Sequence, residues 1–155
     1  MPSYYRDPRA PAPNVPRRVG TTALIEREGS FLLERRRDDG SWGFVGGRVE
    51  DDETVLAALH REVLEETGLH IAQSTLFGIF SDPTRVVSYP DGNVWQVLSI
   101  VFLVVPVEGD EPVASDESLE LRWVSRGELG RLELWPVHRP IRDAWLAGPA
   151  GVVVA

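Results

Sequence analysis

Between Gly47 and Leu69 the chain reads GRVEDDETVLAALHREVLEETGL, and this stretch constrains the fold more than any other. Thr54 suits an N-cap, Val55, Leu56, Leu59 and Val63 recur at helical spacing, and Gly68 follows the last periodic residue, where a left-handed C-terminal cap is expected. A helix with those bounds carries Glu62, Glu65 and Glu66 at i, i+3 and i+4. Their carboxylates share a face, and like charges so placed destabilise a helix by a few tenths of a kcal/mol per pair. Something should therefore neutralise them. A hard cation such as Mg²⁺ takes carboxylate oxygens, keeps several waters and bridges to phosphate, so the cluster is an apt platform for it.

Two neighbouring features fit the same reading. Arg61 on that helix and Glu53 just before it are spaced to pair and to orient the carboxylates without binding a ligand themselves. Gly46 and Gly47 stand in a glycine-rich turn leading to the helix, where the missing side chains let the backbone pass close to a metal and offer a carbonyl to it.

The segment resembles the signature of the Nudix family: Gly, five residues, Glu, seven residues, then Arg-Glu-apolar-X-Glu-Glu-X-Gly-apolar. Gly47, Glu53, Arg61, Glu62, Glu65, Glu66 and Gly68 fill the fixed positions, and Val63 and Leu69 the apolar ones. With composition as the only constraint, such a match has a chance on the order of one in a hundred thousand or less. Val45 stands where the family usually has proline, so the glycine loop is expected to be shaped differently.

The resemblance implies an α/β/α sandwich with a mixed sheet between helices, and hydrolysis of a nucleoside diphosphate linked to another group by water attack at phosphorus. It implies Mg²⁺, or Mn²⁺ in its place, held by Glu62, Glu65 and Glu66 with the Gly46 carbonyl. The base is then Glu62 or a glutamate from a later loop. Trp123 sets the register that selects Glu117 for that loop position, as base or metal ligand, over Asp116 or Glu120. Among substrates of the family, ADP-ribose or a nucleotide sugar is favoured. A MutT-like (d)NTP pyrophosphohydrolase is the alternative, and a non-catalytic ligand sensor the third reading. The related isomerase chemistry needs a cysteine, which this chain lacks.

Composition narrows the choices further. With no cysteine, thiolate metal sites, disulfides and cysteine nucleophiles are excluded, and with no lysine so are Schiff-base chemistry and a Walker-type loop. Phosphate must be met by arginine, backbone or metal. A formal charge of −8 argues against nucleic acid as a partner, since a basic footprint supplies that affinity. The partner is then a small nucleotide. No apolar run suits a bilayer helix, no membrane partner is implied, and the expectation is a cytoplasmic protein.

Residues 1–16 read as an extended proline-rich arm and 17–155 as a single domain. Many members of the resembled family dimerise, so a homodimer is compatible, with the arm packed on the second copy. Strands are expected at 19–26, 31–35, 71–80, 94–105 and 121–124, and helices at 126–132 and 137–146, with 43–47 a loop. For the substrate, Trp42, Phe44, Tyr89 and Trp95 lie in or beside loops flanking the acidic helix and offer faces for a nucleobase. Of the run Arg35-Arg36-Arg37, Arg36 is the candidate for phosphate. His60, His70 and His138 lack ligand spacing and are read as structural.

Overall fold

The computed structural model describes residues 1–155. In chain order its elements are β1 (Ser3–Tyr4), β2 (Arg18–Arg27), β3 (Ser30–Arg36), β4 (Trp42–Gly43), β5 (Val45–Arg48), α1 (Val55–Thr67), β6 (Ile71–Phe80), β7 (Val86–Ser88), β8 (Val94–Pro106), β9 (Ser118–Val124), α2 (Arg126–Arg131), α3 (Arg139–Leu146) and β10 (Val153–Val154).

Alternation along the strands explains the layering. On β2, Ala23 and Ile25 enter one buried cluster and Leu24 another; on β3, Leu32 separates from Phe31 and Leu33 in the same way. Successive residues of a strand face opposite sides, so each cluster marks one face of the sheet. Leu59 and Val63 of α1 complete the first cluster, while Leu129 of α2 and Ile141 of α3 complete the second. The result is the α/β/α sandwich, with a mixed sheet as its middle layer. β8 runs parallel to β2 and antiparallel to β6, and β2 runs antiparallel to β5. The hairpin of β2 and β3 extends the sheet to β9 and β4.

Several elements depart from expectation. Residues 43–47 were expected as a loop, but Gly46 and Gly47 belong to β5, paired with Thr22 and Thr21 of β2. The arm contributes β1 to a ladder with β7, and neither β7 nor β10 shows in the periodicity, because two or three residues are too few to display a period. The last expected helix opens with a 3₁₀ turn over Pro136–His138 before α3 begins at Arg139. α1 follows its sequence signals: the Thr54 side chain accepts the Ala57 N–H, and Gly68 closes the helix at φ 71°.

The paired glycines have distinct reasons. A side chain at Gly46, φ 157°, would overlap the Thr21 carbonyl, and one at Gly47 would overlap the Glu62 carboxyl. Their absence lets β5 lie against β2 on one side and α1 on the other. Gly46→Ala is expected to cost about 2 kcal/mol or more in chemical denaturation, since the obstacle is backbone rather than a movable side chain. A midpoint unchanged from wild type would contradict this.

Candidate active site

The C-terminal half of α1 presents three carboxylates in three environments. Glu66 is buried at 7% exposure, and its Oε2 accepts the Gly46 N–H at 3.1 Å. Glu62 is nearly covered, whereas Glu65 stands mostly in solvent. Arg61 joins them: its Nη1 donates to Glu62 Oε1 at 2.8 Å and to Glu65 Oε2 at 3.3 Å. Its Nε donates to Glu53 Oε2 at 3.0 Å and its Nη2 to the Arg48 carbonyl at 3.0 Å. The Arg61–Glu53 pair anticipated from spacing is therefore present, and it holds the Glu53 carboxyl down at about 2. The same guanidinium ties α1 to the end of β5.

Two further carboxylates meet this group from across the sheet. Glu34 of β3 is buried, with Oε2 accepting from Ser118 Oγ at 2.8 Å, and Glu117 lies just before β9, exposed, where its backbone carbonyl accepts the Arg37 N–H. Burial pushes the Glu66 carboxyl up to about 9, reinforced by the negative fields of Glu34 and Glu62. Burial also raises Glu34 and Glu62, and Glu117 adds to the upward push on both. A cluster of oxygen donors that cannot all ionise together without a counter-charge suits a hard divalent cation. Arg61 now occupies Glu62 and Glu65, and the Gly46 N–H occupies Glu66, so no three carboxylates converge on one point. A cation has to draw them from these partners.

These residues form one end of a cleft of about 900 Å³, within the usual range for a small-molecule site. The cleft brings Gly46, Glu62, Glu65, Glu66 and Glu117 together, with Asp116 also in its wall, while Glu120 lies outside and pairs with Arg35. Glu53 and Arg61 stand behind the carboxylates and do not line it.

The expected substrate residues separate. Arg36 and Tyr89 line the cleft. Phe44 borders it, but its ring is packed into the core against His138. Trp42 and Trp95 lie outside the lining: Arg122 stacks on Trp42, and Arg18 covers Trp95 with its guanidinium carbon 3.7 Å from the ring centroid. Their faces are taken by arginine.

Among the lining residues that sequence reasoning missed are Glu34, Arg85, Trp135 and His138. Glu34 had a signal, an acid in the apolar run Phe31-Leu32-Leu33-Glu34. His138 belongs to the wall as well as to the structure, its Nδ1 accepting the Phe44 N–H at 3.1 Å. Burial, with Arg85 and Arg36 nearby, holds that imidazole well below its ordinary range, so it is neutral.

A profile of the NUDIX domain matches residues 16–145. The chain belongs to the NUDIX family. An ADP-ribose pyrophosphatase of Methanocaldococcus jannaschii is 36% identical over 117 residues, covering 74% of this chain but only 65% of that protein. The chain thus spans less than two thirds of that relative. The nucleoside triphosphatase NudI of an Enterobacter strain is 30% identical over 118 residues, 72% of this chain and 84% of NudI. A solved NUDIX hydrolase from Nitrosomonas europaea superposes with a TM-score of 0.65 at 22% identity, covering 92% of this chain and 81% of its own, a likeness of fold. No helix of this NUDIX chain is long and apolar enough to cross a membrane.

The buried carboxyl gives the metal-free protein a pH signature. Because Glu66 is raised to about 9 when folded, its contribution to stability is fully present below the unfolded value of about 4.3 and is lost as pH rises through the folded value. In EDTA, the thermal midpoint of wild type should fall between pH 6 and 8 by several degrees more than that of Glu66→Gln. Parallel declines for the two proteins would contradict the burial argument.

Proposed function

We propose that the chain is a Mg²⁺-dependent pyrophosphohydrolase that cleaves a nucleoside diphosphate linked to another group, with ADP-ribose or a nucleotide sugar as the favoured substrate class. The observation that carries this reading is the crowd of buried carboxylates at one end of a cleft large enough for a nucleotide. Such a crowd costs stability in the absence of a cation, and the family signature supports its being kept for catalysis. Mn²⁺ fits the same oxygen donors.

In this reading Glu62, Glu65 and Glu66, with the Gly46 carbonyl, hold the metal, whose chemistry is to neutralise phosphate charge and make water a better nucleophile. Arg61, anchored by Glu53, sets the positions of the carboxylates on α1 that would hold the metal. Arg36, on the cleft wall, meets an anionic group of the substrate. Glu117 is the better-supported base. Its carboxylate is open to water, whereas that of Glu62 is held by Arg61. A base must take a proton from the attacking water, and an exposed, unpaired carboxylate at the rim is free to do so.

The likeness to NudI supports the second reading, in which a nucleoside triphosphate enters with its phosphates toward the glutamates. A non-catalytic sensor is less favoured, because every fixed position of the signature is retained.

A panel of ADP-ribose, nucleotide sugars, dinucleoside polyphosphates and (d)NTPs tests the reading. With Mg²⁺, two phosphate-bearing products are expected from ADP-ribose or a nucleotide sugar, and none after EDTA. Turnover confined to triphosphates would favour the second reading, and no turnover on any member would support the sensor. On the best substrate, Glu117→Gln should lower kcat about a hundredfold, with Asp116→Asn and Glu120→Gln close to wild type, as expected for loss of one general base. An unimpaired Glu117→Gln would leave Glu62 as the base.

A further inference from the structure

The end of the cleft away from the glutamates has the opposite charge. Arg85, between β6 and β7, is completely buried, and it donates to the carbonyls of Val137, Phe80 and Val97 and to Ser99 Oγ, at 2.7 to 3.3 Å. Every acceptor of its hydrogen bonds is neutral, the carboxylate of Asp82 bears on the charge through its field without touching it, and a donor is left over. A buried charge with no counter-ion in contact is a costly group for a fold to contain. Nothing in the packing of β7 on β8 demands a cation, since a neutral amide could serve carbonyl acceptors.

Two more arginines line the same region. Arg18 lies over Trp95 and Tyr89, and its Nε is buried with no hydrogen-bond partner. Arg36 lies over Trp135, 3.9 Å from the ring centroid, and is paired with Asp38. Stacking fixes the plane of each guanidinium: Arg18 keeps Nε and Nη2 beyond its Nη1 bond to Tyr89 OH, and Arg36 keeps Nη1 beyond its bidentate pair with Asp38, for a planar or tetrahedral oxyanion. Asp38 is the one carboxylate in hydrogen-bonding contact with these three arginines, while the fields of Asp82 and Glu34 reach Arg85 and Arg36. The low basicity of His138, caused in part by Arg85 and Arg36, shows both fields meeting at one wall of the cleft.

Register gives the distance between the ends. Gly46, which holds Glu66, pairs with Thr22, while Ser99, which holds Arg85, pairs with Gly20. Two strand spacings across and two residues along place the ends about 12 Å apart. A phosphate held at the glutamates with one hexose or pentose beyond it covers that span.

We propose that Arg18, Arg36 and Arg85 form an anion subsite for the group linked to the nucleotide, so that the substrate carries an oxyanion, a carboxylate or a phosphate, at the end remote from the bond that breaks. Arg18 and Arg36 touch it; Arg85 acts from behind the wall as a positioning charge. This deepens the hydrolytic reading and, for the substrate's identity, rests on it, narrowing its two favoured classes to nucleotide sugars with an acidic sugar and setting aside ADP-ribose, whose remote ribose is neutral.

Two measurements separate the two claims. In EDTA the glutamate end repels anions, so sulfate reads the arginine end alone. Sulfate should raise the thermal midpoint of wild type saturably above chloride at equal ionic strength, and the Arg18→Gln/Arg36→Gln protein should lose this gain. Sulfate no better than chloride would overturn the subsite. With Mg²⁺, UDP-glucuronate and UDP-glucose differ only by a carboxylate at the far end. Their kcat/KM ratio should favour the uronate by about tenfold or more and fall toward parity in the double variant, as expected when charge-assisted contacts are lost. Arg85→Gln should lower the preference and Arg85→Lys, which keeps the charge, should restore it, whereas a ratio untouched in a folded Arg85→Gln protein would mean that Arg85 is merely structural. Equal turnover of the two sugars by wild type, with sulfate protection intact, would overturn the assignment to substrate in favour of a free anion. Sulfate protection without turnover of any nucleotide would uphold the subsite and defeat the hydrolytic reading.

Discussion

The carboxyl of Glu66 sits in the interior, against Gly46 of β5 and within the fields of Glu34 and Glu62. Much of the surrounding structure is arranged so that this placement is tolerable. The glycines of β5 admit α1 closely enough for the Gly46 N–H to bond the carboxylate, and Gly47 leaves room for Glu62. Arg61 offsets the charge of Glu62 and Glu65 while bonding Glu53 and the Arg48 carbonyl, so one guanidinium fixes both the helix and the strand it packs on. Buried like charges normally lower stability. Their retention beside a cleft points to a cation and a phosphate as the missing counterparts.

That cleft carries both signs of charge: glutamates from α1, β3 and the segment before β9 line it, with arginines from β2, β3 and the segment before β7. Neither Glu66 nor Arg85 has an opposite charge in hydrogen-bonding contact. A nucleotide whose phosphates are bridged to the glutamates by a cation, and whose far end is acidic, would complete both. The chain reaches this with a net charge of −8, by local placement of its arginines rather than by overall charge.

The acidic helix, its Thr54 and Gly68 ends and the Arg61–Glu53 pair were legible in the sequence because they depend on spacing along one element. The layering was implied by the family resemblance, whereas the runs Ala23-Leu24-Ile25 and Phe31-Leu32-Leu33 are apolar throughout, and only the structure sorts Leu24 from Ala23 and Ile25, and Leu32 from Leu33, onto opposite faces. What could not be read depends on register between strands. Gly46 joins β5 because it pairs with Thr22, and Arg85 enters the cleft wall because β8 brings Val97 and Ser99 beside it. The placement of the aromatic candidates depends on register in the same way. Trp42 and Trp95 are adjacent to the right loops in sequence, but cross-strand arginines occupy their faces, while Trp135, distant in sequence, reaches the wall.

The central claim is that the carboxylates around Glu66 form a divalent-cation site before any nucleotide arrives. Calorimetric titration of Mn²⁺ into the nucleotide-free protein tests it most directly, with Glu66→Gln as the comparison. The account predicts saturable binding to wild type, weakened by about tenfold or more in Glu66→Gln, as expected when one charged ligand is lost from a site of few. Binding of equal strength in the two proteins would contradict it.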